Sequence, residues 1–192
     1  MAPDTDTGRL PFASAADWER WLAENHGTAT AIWVQIAKKG SGIPTVTYDE
    51  ALDTALCYGW IDGQRKSHDE DHFIQRFTPR RPKGNWSKRN VAKVAELLEA
   101  GRMQPAGFAE VEAAQRDGRW EAAYDSQKDM VLPEDFVLAV RANENAAAFL
   151  GTLSRTNLYL IALKLHNART PETRVRRFAA LLETLERGEV PR

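Results

Sequence analysis

The chain has 192 residues, 43% of them hydrophobic, which is enough for one fair-sized globular domain or two small ones. A formal charge of −1 falls well short of the basic balance of a dedicated nucleic-acid domain, and a single cysteine excludes a disulfide framework or a multi-cysteine zinc site. No stretch approaches the roughly 20 apolar residues of a membrane span, and the first residues lack the features of a secretory signal, which predicts a cytoplasmic protein.

Helices and strands alternate in the first hundred residues. Their predicted order is a flexible tail at 1–11, a helix at 14–26, a strand at 30–37, a helix at 47–58, and strands at 60–63 and 73–77. Both helices begin with a capping box, in which Ser14 or Thr47 precedes an acid by three positions. A strand and a hairpin beside two helices predict a small α+β region with a short antiparallel sheet.

The hydrophobic spacing becomes helical after Asn85. Helices are predicted near 86–100 and 104–115, from a start at Pro133, and near 157–167 and 171–187. In the first of these, Val91, Val94, Ala95 and Leu98 share the predicted buried face, and in the last, Val175, Phe178, Leu182 and Leu185. The predicted organisation is therefore an α+β domain at 12–101, a connecting helix and loop at 102–131, and an all-helical C-terminal domain at 132–188.

A run of cations without acids is the most unusual feature of the chain. From His72 to Lys93 there are seven Lys or Arg residues and no Asp or Glu, which leaves −8 for the remainder. Such separation of charge predicts a positive surface suited to an anionic partner.

Several cations also fall at predicted helix N-termini. Lys88 and Arg89 begin one helix, and Arg174 and Arg177 another, although exposed cations there cost about 0.3–1 kcal/mol each. An anion docked on the helix end would explain them. The alternative is that they are solvated or paired with acids of the same chain. The candidate anion-binding residues are Lys38, Lys39, Arg76, Arg80, Arg81, Lys88, Arg89, Arg174 and Arg177.

The segment Lys38–Gly42 is a glycine-rich turn that follows the predicted strand. It lacks the G-x-x-x-x-G-K-[ST] spacing of a nucleotide-binding loop, since its lysines precede its glycines. We expect a connecting loop whose lysines face the anion, because Asp62 and Arg65 follow a helix that can return the chain beside it.

A second candidate site is a pocket formed by Trp33, Tyr58, Trp60 and Asp62. If the protein is an enzyme acting on an anionic small molecule, the candidate polar cluster is Tyr58, Asp62, Arg76 and Arg80 around the two tryptophans, and the substrate-binding residues are Lys38, Arg76, Arg80 and Arg81. An acid beside arginines, however, favours a structural ion pair over a general base. No catalytic residue is assigned, and no metal or cofactor is predicted. His68 and His72 belong to an acidic turn, and Cys57 is predicted to be a buried, inert thiol.

Nucleic acid is the less favoured ligand. Phe73, Phe77 and Trp86 stand among the cations and are of the residue types that stack on bases. However, the alternate spacing of the two phenylalanines predicts one buried strand face.

Four segments resemble the YdeI/OmpD-associated family of bacterial proteins. They are Ala37–Pro44, Cys57–Gln64, Gln75–Arg81 and Thr170–Arg174, and the resemblance runs from about Phe12 to Gly188. It implies a role in tolerance of bacteriocins or antimicrobial peptides and no particular reaction. The expected function is thus a cytoplasmic bacterial protein that binds an anionic ligand or protein partner through a basic face. The alternatives are an enzyme acting on an anionic small molecule and a nucleic-acid-associated regulator.

Overall fold

The computed structural model describes residues 6–191, which form two compact units. The first comprises the described residues through Trp86 together with Asn90–Ala122, and the second comprises Ser87–Arg89 and the residues from Ala123 onward. The predicted α+β class is confirmed: one sheet lies in the N-terminal half, and helices dominate the C-terminal region. None of the helices within these residues is both long and apolar enough to cross a membrane.

The first unit is built around a four-stranded sheet of order β1-β2-β4-β3. Its strands are β1 (Asp6–Pro11), β2 (Ala31–Ala37), β3 (Trp60–Ser67) and β4 (His72–Pro79). Its helices are α1 (Ala15–Asn25), α2 (Tyr48–Cys57), α4 (Pro105–Arg116) and all but the first two residues of α3 (Lys88–Glu99). The capping boxes predicted the starts of α1 and α2 correctly, since Ser14 and Thr47 each accept a hydrogen bond from a backbone N–H three residues on.

Strand β1 was not predicted. It occupies the described part of the segment expected to be a tail and pairs in parallel with β2, so the sheet is mixed rather than purely antiparallel. The sequence of β1 has no apolar alternation, which is the pattern that would have predicted a strand. The strand is instead specified by backbone pairing with the edge of β2, and not by a buried face. Residues 1–5 lie outside the described part of the chain.

Alternate residues of the two central strands form the core of the first unit. Ile32, Val34 and Ile36 are buried on one face of β2 and lie opposite Phe77, Gln75 and Phe73 of β4. Trp18 of α1 covers this face, with its ring centroid 5.5 Å from that of Phe77. The prediction that both phenylalanines are core residues is therefore confirmed.

Helix α3 turns a different face inward from the one predicted. Asn90, Val94 and Leu97 are buried, whereas Ala95 and Leu98 are exposed. The apolar residues form two adjacent stripes on this helix, and periodicity alone does not distinguish which stripe is packed.

The second unit is a helical bundle. It contains α5 (Glu134–Arg141), α6 (Glu144–Leu150), α7 (Arg155–His166) and α8 (Pro171–Glu186), around a core that includes Phe136, Ile161 and Leu185. Helix α6 was not predicted, since seven residues are too few for a periodic signal. The prediction for Val175 was wrong: it is 68% exposed, and Leu181 is buried on α8.

The close packing of α4 against α2 can be tested by a substitution at Gly107. A Cβ at this position would overlap the carbonyl oxygen of Cys57 at the end of α2. We expect Gly107→Ala to lower the free energy of unfolding by about 1–3 kcal/mol through overpacking. Gly27→Ala is the matched control, because nothing lies within 4 Å of its Cβ position. Equal urea midpoints for the two variants would contradict this packing.

Candidate functional site

A cavity of about 590 Å³ lies in the first unit, where β2 ends. Its walls come from the loop after β2, the first turn of α2, and strands β3 and β4. The polar and aromatic side chains used below are Lys38, Lys39, Tyr48, Asp49, Arg65 and Phe73.

The glycines of the loop are required by its backbone. Gly40 has φ +92° and Gly42 has φ +74°, both in the left-handed region that residues with a Cβ rarely adopt. The loop is closed by the Ser41 amide, which donates to the Lys38 carbonyl oxygen at 3.1 Å. The segment is thus a short turn between β2 and α2.

Lys38 holds the cavity wall together. Its Nζ donates to the backbone oxygens of Asp69 and Glu70, both at 2.8 Å, which ties the loop to the β3–β4 turn. Lys39 is exposed and makes no hydrogen bond or ion pair with any described residue. Of the two predicted lysines, Lys39 is therefore the one available to a ligand.

Arg65 lies flat against the ring of Phe73. Its guanidinium carbon is 3.6 Å from the ring centroid, and it forms no ion pair with the residues that the structure describes. Strand β3 has a register irregularity between Asp62 and Arg65, which places Arg65 opposite Gln75 of β4. Arg65 therefore lies on the same sheet face as Phe73. A stacked guanidinium still presents the N–H groups of its edge, so Arg65 is oriented to bind an anion.

Acceptor groups also lie at the cavity. The Tyr48 hydroxyl donates to Asp62 Oδ2 at 2.8 Å. The Asp49 carboxylate is 3.7 Å from Lys93 Nζ, which is closer, at 2.6 Å, to Asp53. The cavity thus has both positive and negative side chains in its wall.

Arg76 lies on the opposite face of the sheet from the cavity. It pairs in register with Trp33, whose ring is covered by Lys66 Nζ at 4.6 Å from the centroid. Arg76 Nε is buried and has no hydrogen-bond partner among the described residues. These three residues form a separate group, which we call the Trp33 cluster.

Arg80 is part of the core. It is 8% exposed, its guanidinium carbon is 3.4 Å from the centroid of the Trp86 ring, and Trp86 in turn meets Trp120 edge to face. Trp86 is 1% exposed, which excludes it as a platform for stacking bases. Arg81 is exposed and does not line the cavity.

The predicted pocket of Trp33, Tyr58, Trp60 and Asp62 does not form. Trp60 is buried, donates from Nε1 to the His26 carbonyl oxygen and packs edge to face on Trp21. Tyr58 is also buried, which raises the pKa of its phenol. Of the four residues, only Asp62 approaches the cavity, through its hydrogen bond with Tyr48.

The predicted cations of the second unit bind groups of the same chain. Lys88 pairs with Asp125 at 2.7 Å, Arg174 pairs with Asp135 at 2.8 Å, and Arg177 donates to the Lys164 carbonyl oxygen at 2.7 Å. Arg89 is exposed. The sequence left two explanations open for the cations at helix N-termini, a docked anion or ion pairs within the chain. The geometry at Lys88 and Arg174 favours the ion pairs.

No group of three or more His, Cys, Asp or Glu side chains within residues 6–191 is arranged to hold a metal ion. Asp69 bonds His72 Nδ1 at 2.9 Å inside the acidic turn. Burial raises the pKa of the Cys57 thiol to about 11, so this group is a poor nucleophile near neutral pH.

The Arg174–Asp135 pair predicts an acid-sensitive contribution to stability. The hydrogen bond from Arg174 lowers the pKa of Asp135 below its ordinary value of 3.8. The pair therefore stabilises the fold above pH 3.8, and this contribution disappears as the pH falls through the lowered pKa. We expect Arg174→Gln to lower the melting temperature by a few degrees at most at pH 7, and by progressively less as the pH falls below 3.8. A difference that does not depend on pH would contradict the ion pair.

Comparison with protein-family models gives two matches. Residues 10–110 match a family described as a domain of unknown function (DUF8412). Residues 129–188 match a family described as "Bacteriocin-protection, YdeI or OmpD-Associated" (OmdA). The second match supports the resemblance seen in the sequence but covers only its C-terminal part, because three of the four segments lie within the first match. No curated protein and no solved structure matches the chain.

Proposed function

The chain belongs to the family described as a domain of unknown function (DUF8412), with an OmdA region after it, and we propose that its cavity binds a small organic anion. Arg65 carries this proposal, since its guanidinium is held against Phe73 at 3.6 Å and has no ion-pair partner in the described part of the chain. Lys39 adds a second cation at the same cavity. The proposal is one of binding, and no reaction is assigned to the cavity.

The biological setting of the proposal is a cytoplasmic protein of bacteria that contributes to bacteriocin tolerance. The description of the OmdA family supports the part in bacteriocin tolerance, and the cavity supports the chemistry of the ligand. The cytoplasmic location rests on the sequence prediction alone. The OmdA region and the cavity belong to different units, so the two parts of the proposal have separate support.

The apolar wall of the cavity indicates that the anionic ligand also has an apolar part. Ile36, Ile43 and Phe73 line it together with the cations, and its volume is within the roughly 300–1,000 Å³ of small-molecule sites. An anion with an apolar body therefore fits better than inorganic phosphate. Hexanoate and hexyl phosphate are suitable first probes.

We expect hexanoate or hexyl phosphate to raise the melting temperature, because a ligand of the native state stabilises it by mass action. Arg65→Gln should weaken binding about 10- to 100-fold, as expected for a charge-assisted hydrogen bond. Arg81→Gln is the matched control, since it removes a cation of the basic segment that does not line the cavity. Equal effects of the two substitutions would indicate general surface charge, and no shift with either probe would contradict the anion site.

A second candidate function is single-strand nucleic-acid binding at the Trp33 cluster. An indole with cations beside it on one sheet face has the residue types that combine base stacking with phosphate contacts. This surface differs from the one considered in the sequence, whose aromatic residues are buried.

Fluorescence anisotropy with labelled oligo-dT tests this candidate. We expect the double variant Lys66→Gln/Arg76→Gln to weaken binding and to flatten the slope of log affinity against log salt by about 1.4, or about 0.7 for each phosphate that is no longer neutralised. Arg65→Gln is the control on the other face of the sheet. An unchanged slope in the double variant would contradict a role for the Trp33 cluster.

A further inference from the structure

Strand β3 lies at one edge of the sheet. Its neighbour is β4, and no other strand of the described residues pairs with its outer side. The stretch Gly63–Ser67 is exposed along its whole length. Resting on the proposed anion site, we propose that this edge receives an extended acidic segment of a protein partner. The segment adds to the sheet as a further strand and places a carboxylate at Arg65.

The backbone of β3 leaves one short stretch open to such a strand. Gln75 Nε2 donates to the carbonyl oxygens of Gly63 and Gln64 at 2.9 and 3.3 Å, so these two groups are used within the sheet. Regular pairing with β4 follows from Arg65 to Ser67. In a regular strand, the backbone groups that do not face one neighbour point to the other side. Arg65–Ser67 therefore presents outward N–H and C=O groups, which make no backbone hydrogen bond with other described residues.

The opposite edge of the sheet is interrupted. The pairing of β1 is irregular between Asp6 and Arg9, where Gly8 has φ +77°, and its last residue, Pro11, has no N–H to donate. Prolines and irregularities of this kind protect an edge from further pairing. Of the two edges, β3 is therefore the one suited to an added strand.

Charge selects the kind of segment that pairs with β3. The Arg65 guanidinium stacks on Phe73, and Lys66 Nζ lies over Trp33. Because these cations are successive residues, they occupy opposite faces of the sheet. No Asp or Glu occurs in Gly63–Ser67. Opposite charges on neighbouring strands stabilise their pairing, so a segment with two successive acids meets one cation on each face.

The same cations disfavour a second copy of this chain as the partner. Antiparallel pairing of two Arg65–Ser67 stretches would bring the Lys66 side chains of both copies together, and like charges directly opposite destabilise a pair of strands. Lysine at an edge is a common protection against such self-pairing. An acidic segment removes the repulsion.

The cavity sets a further requirement on the segment. A side chain two positions from the acid at Arg65 lies on the same face of the sheet as that acid. On this face, Ile36, Ile43 and Phe73 line the cavity. The segment therefore carries an apolar residue two positions from the acid.

The peptide acetyl-Thr-Val-Thr-Glu-Glu-Thr-Val-Thr-amide has this pattern and uncharged ends. We expect it to bind in calorimetry at pH 7. Replacement of both glutamates by glutamine should weaken binding about 10- to 100-fold, as for charge-assisted hydrogen bonds. Amide exchange measured by NMR should slow within Arg65–Ser67 in the complex and stay unchanged in β1. Protection of β1 alone, or of neither edge, would overturn the proposal.

Two N-methylated forms of the peptide test whether it binds as a strand. Successive amides of an extended peptide point to opposite sides, so only alternate amides can pair with β3. One form carries its methyl groups on the odd-numbered amides and the other on the even-numbered amides, which matches the two forms in number of methyl groups. We expect one form to bind about tenfold more weakly, or worse, and the other to keep its affinity. Equal affinities of the two forms would contradict pairing with β3.

Variants assign the acids to the two faces. Arg65→Gln should weaken the glutamate peptide about 10- to 100-fold and leave the glutamine peptide unchanged. Lys66→Gln should weaken the glutamate peptide about two- to fivefold, as for an exposed cross-strand pair. Arg81→Gln is the control and should change neither, because Arg81 does not line the cavity. Circular dichroism and thermal unfolding of each variant check that the fold is retained.

The outcomes separate this inference from the anion site on which it rests. If hexanoate or hexyl phosphate binds in an Arg65-dependent way and the glutamate peptide does not bind, the anion site stands and the added strand is overturned. If the peptide binds but Arg65→Gln has no effect on it, the placement of the carboxylate is overturned. If neither the peptide nor the small anions bind, both proposals are overturned.

Discussion

The packing of alternate side chains from β2 and β4 is the constraint on which the first unit depends. Ile32 and Phe77 lie opposite each other in the ladder and are completely buried, and Trp18 closes over them. Because side chains alternate across a strand, the same pairing places Trp33 and Arg76 together on the other face. A slip of one residue would exchange the two faces, so the core, the cavity and the Trp33 cluster share one register.

The charged side chains of this protein mainly contact other groups of the same chain. The seven cations between His72 and Lys93 do not form one uniform surface, because Arg80 is stacked in the core, while Lys88 and Lys93 pair with acids at 2.7 and 2.6 Å. Burying a cation is costly unless it gains a partner, which accounts for these contacts. Arg65 and Lys39 are different, since both lie at a cavity without an ion-pair partner among the described residues.

The cavity combines a rigid frame with side chains of both signs. Lys38 fixes the loop to the β3–β4 turn, and the positive φ angles of Gly40 and Gly42 let the loop bend sharply over the cavity. The Arg65 guanidinium keeps its orientation through stacking on Phe73 and does not need an acid for this.

The sequence by itself determined the elements with strong local signals and most of the core. Capping boxes marked α1 and α2, a short run of β-branched and aromatic residues marked β2, and the alternate spacing of Phe73 and Phe77 in β4 predicted a buried face. These features depend on neighbouring residues, so they can be recognised in a short window. Lys38, Lys39 and Arg65 were also expected near one another, because the chain returns to the loop after α2.

Tertiary structure alone decided which charged residues are available. Whether Arg80 stacks on Trp86, or Arg174 finds Asp135 across 39 positions, depends on contacts that no local pattern encodes. The same holds for β1, which exists through pairing with β2, and for the choice of buried stripe on α3. The predicted pocket failed for this reason: Trp60 was taken into the core, Trp33 was placed on the other face, and the cavity formed instead from Tyr48, Arg65 and Phe73.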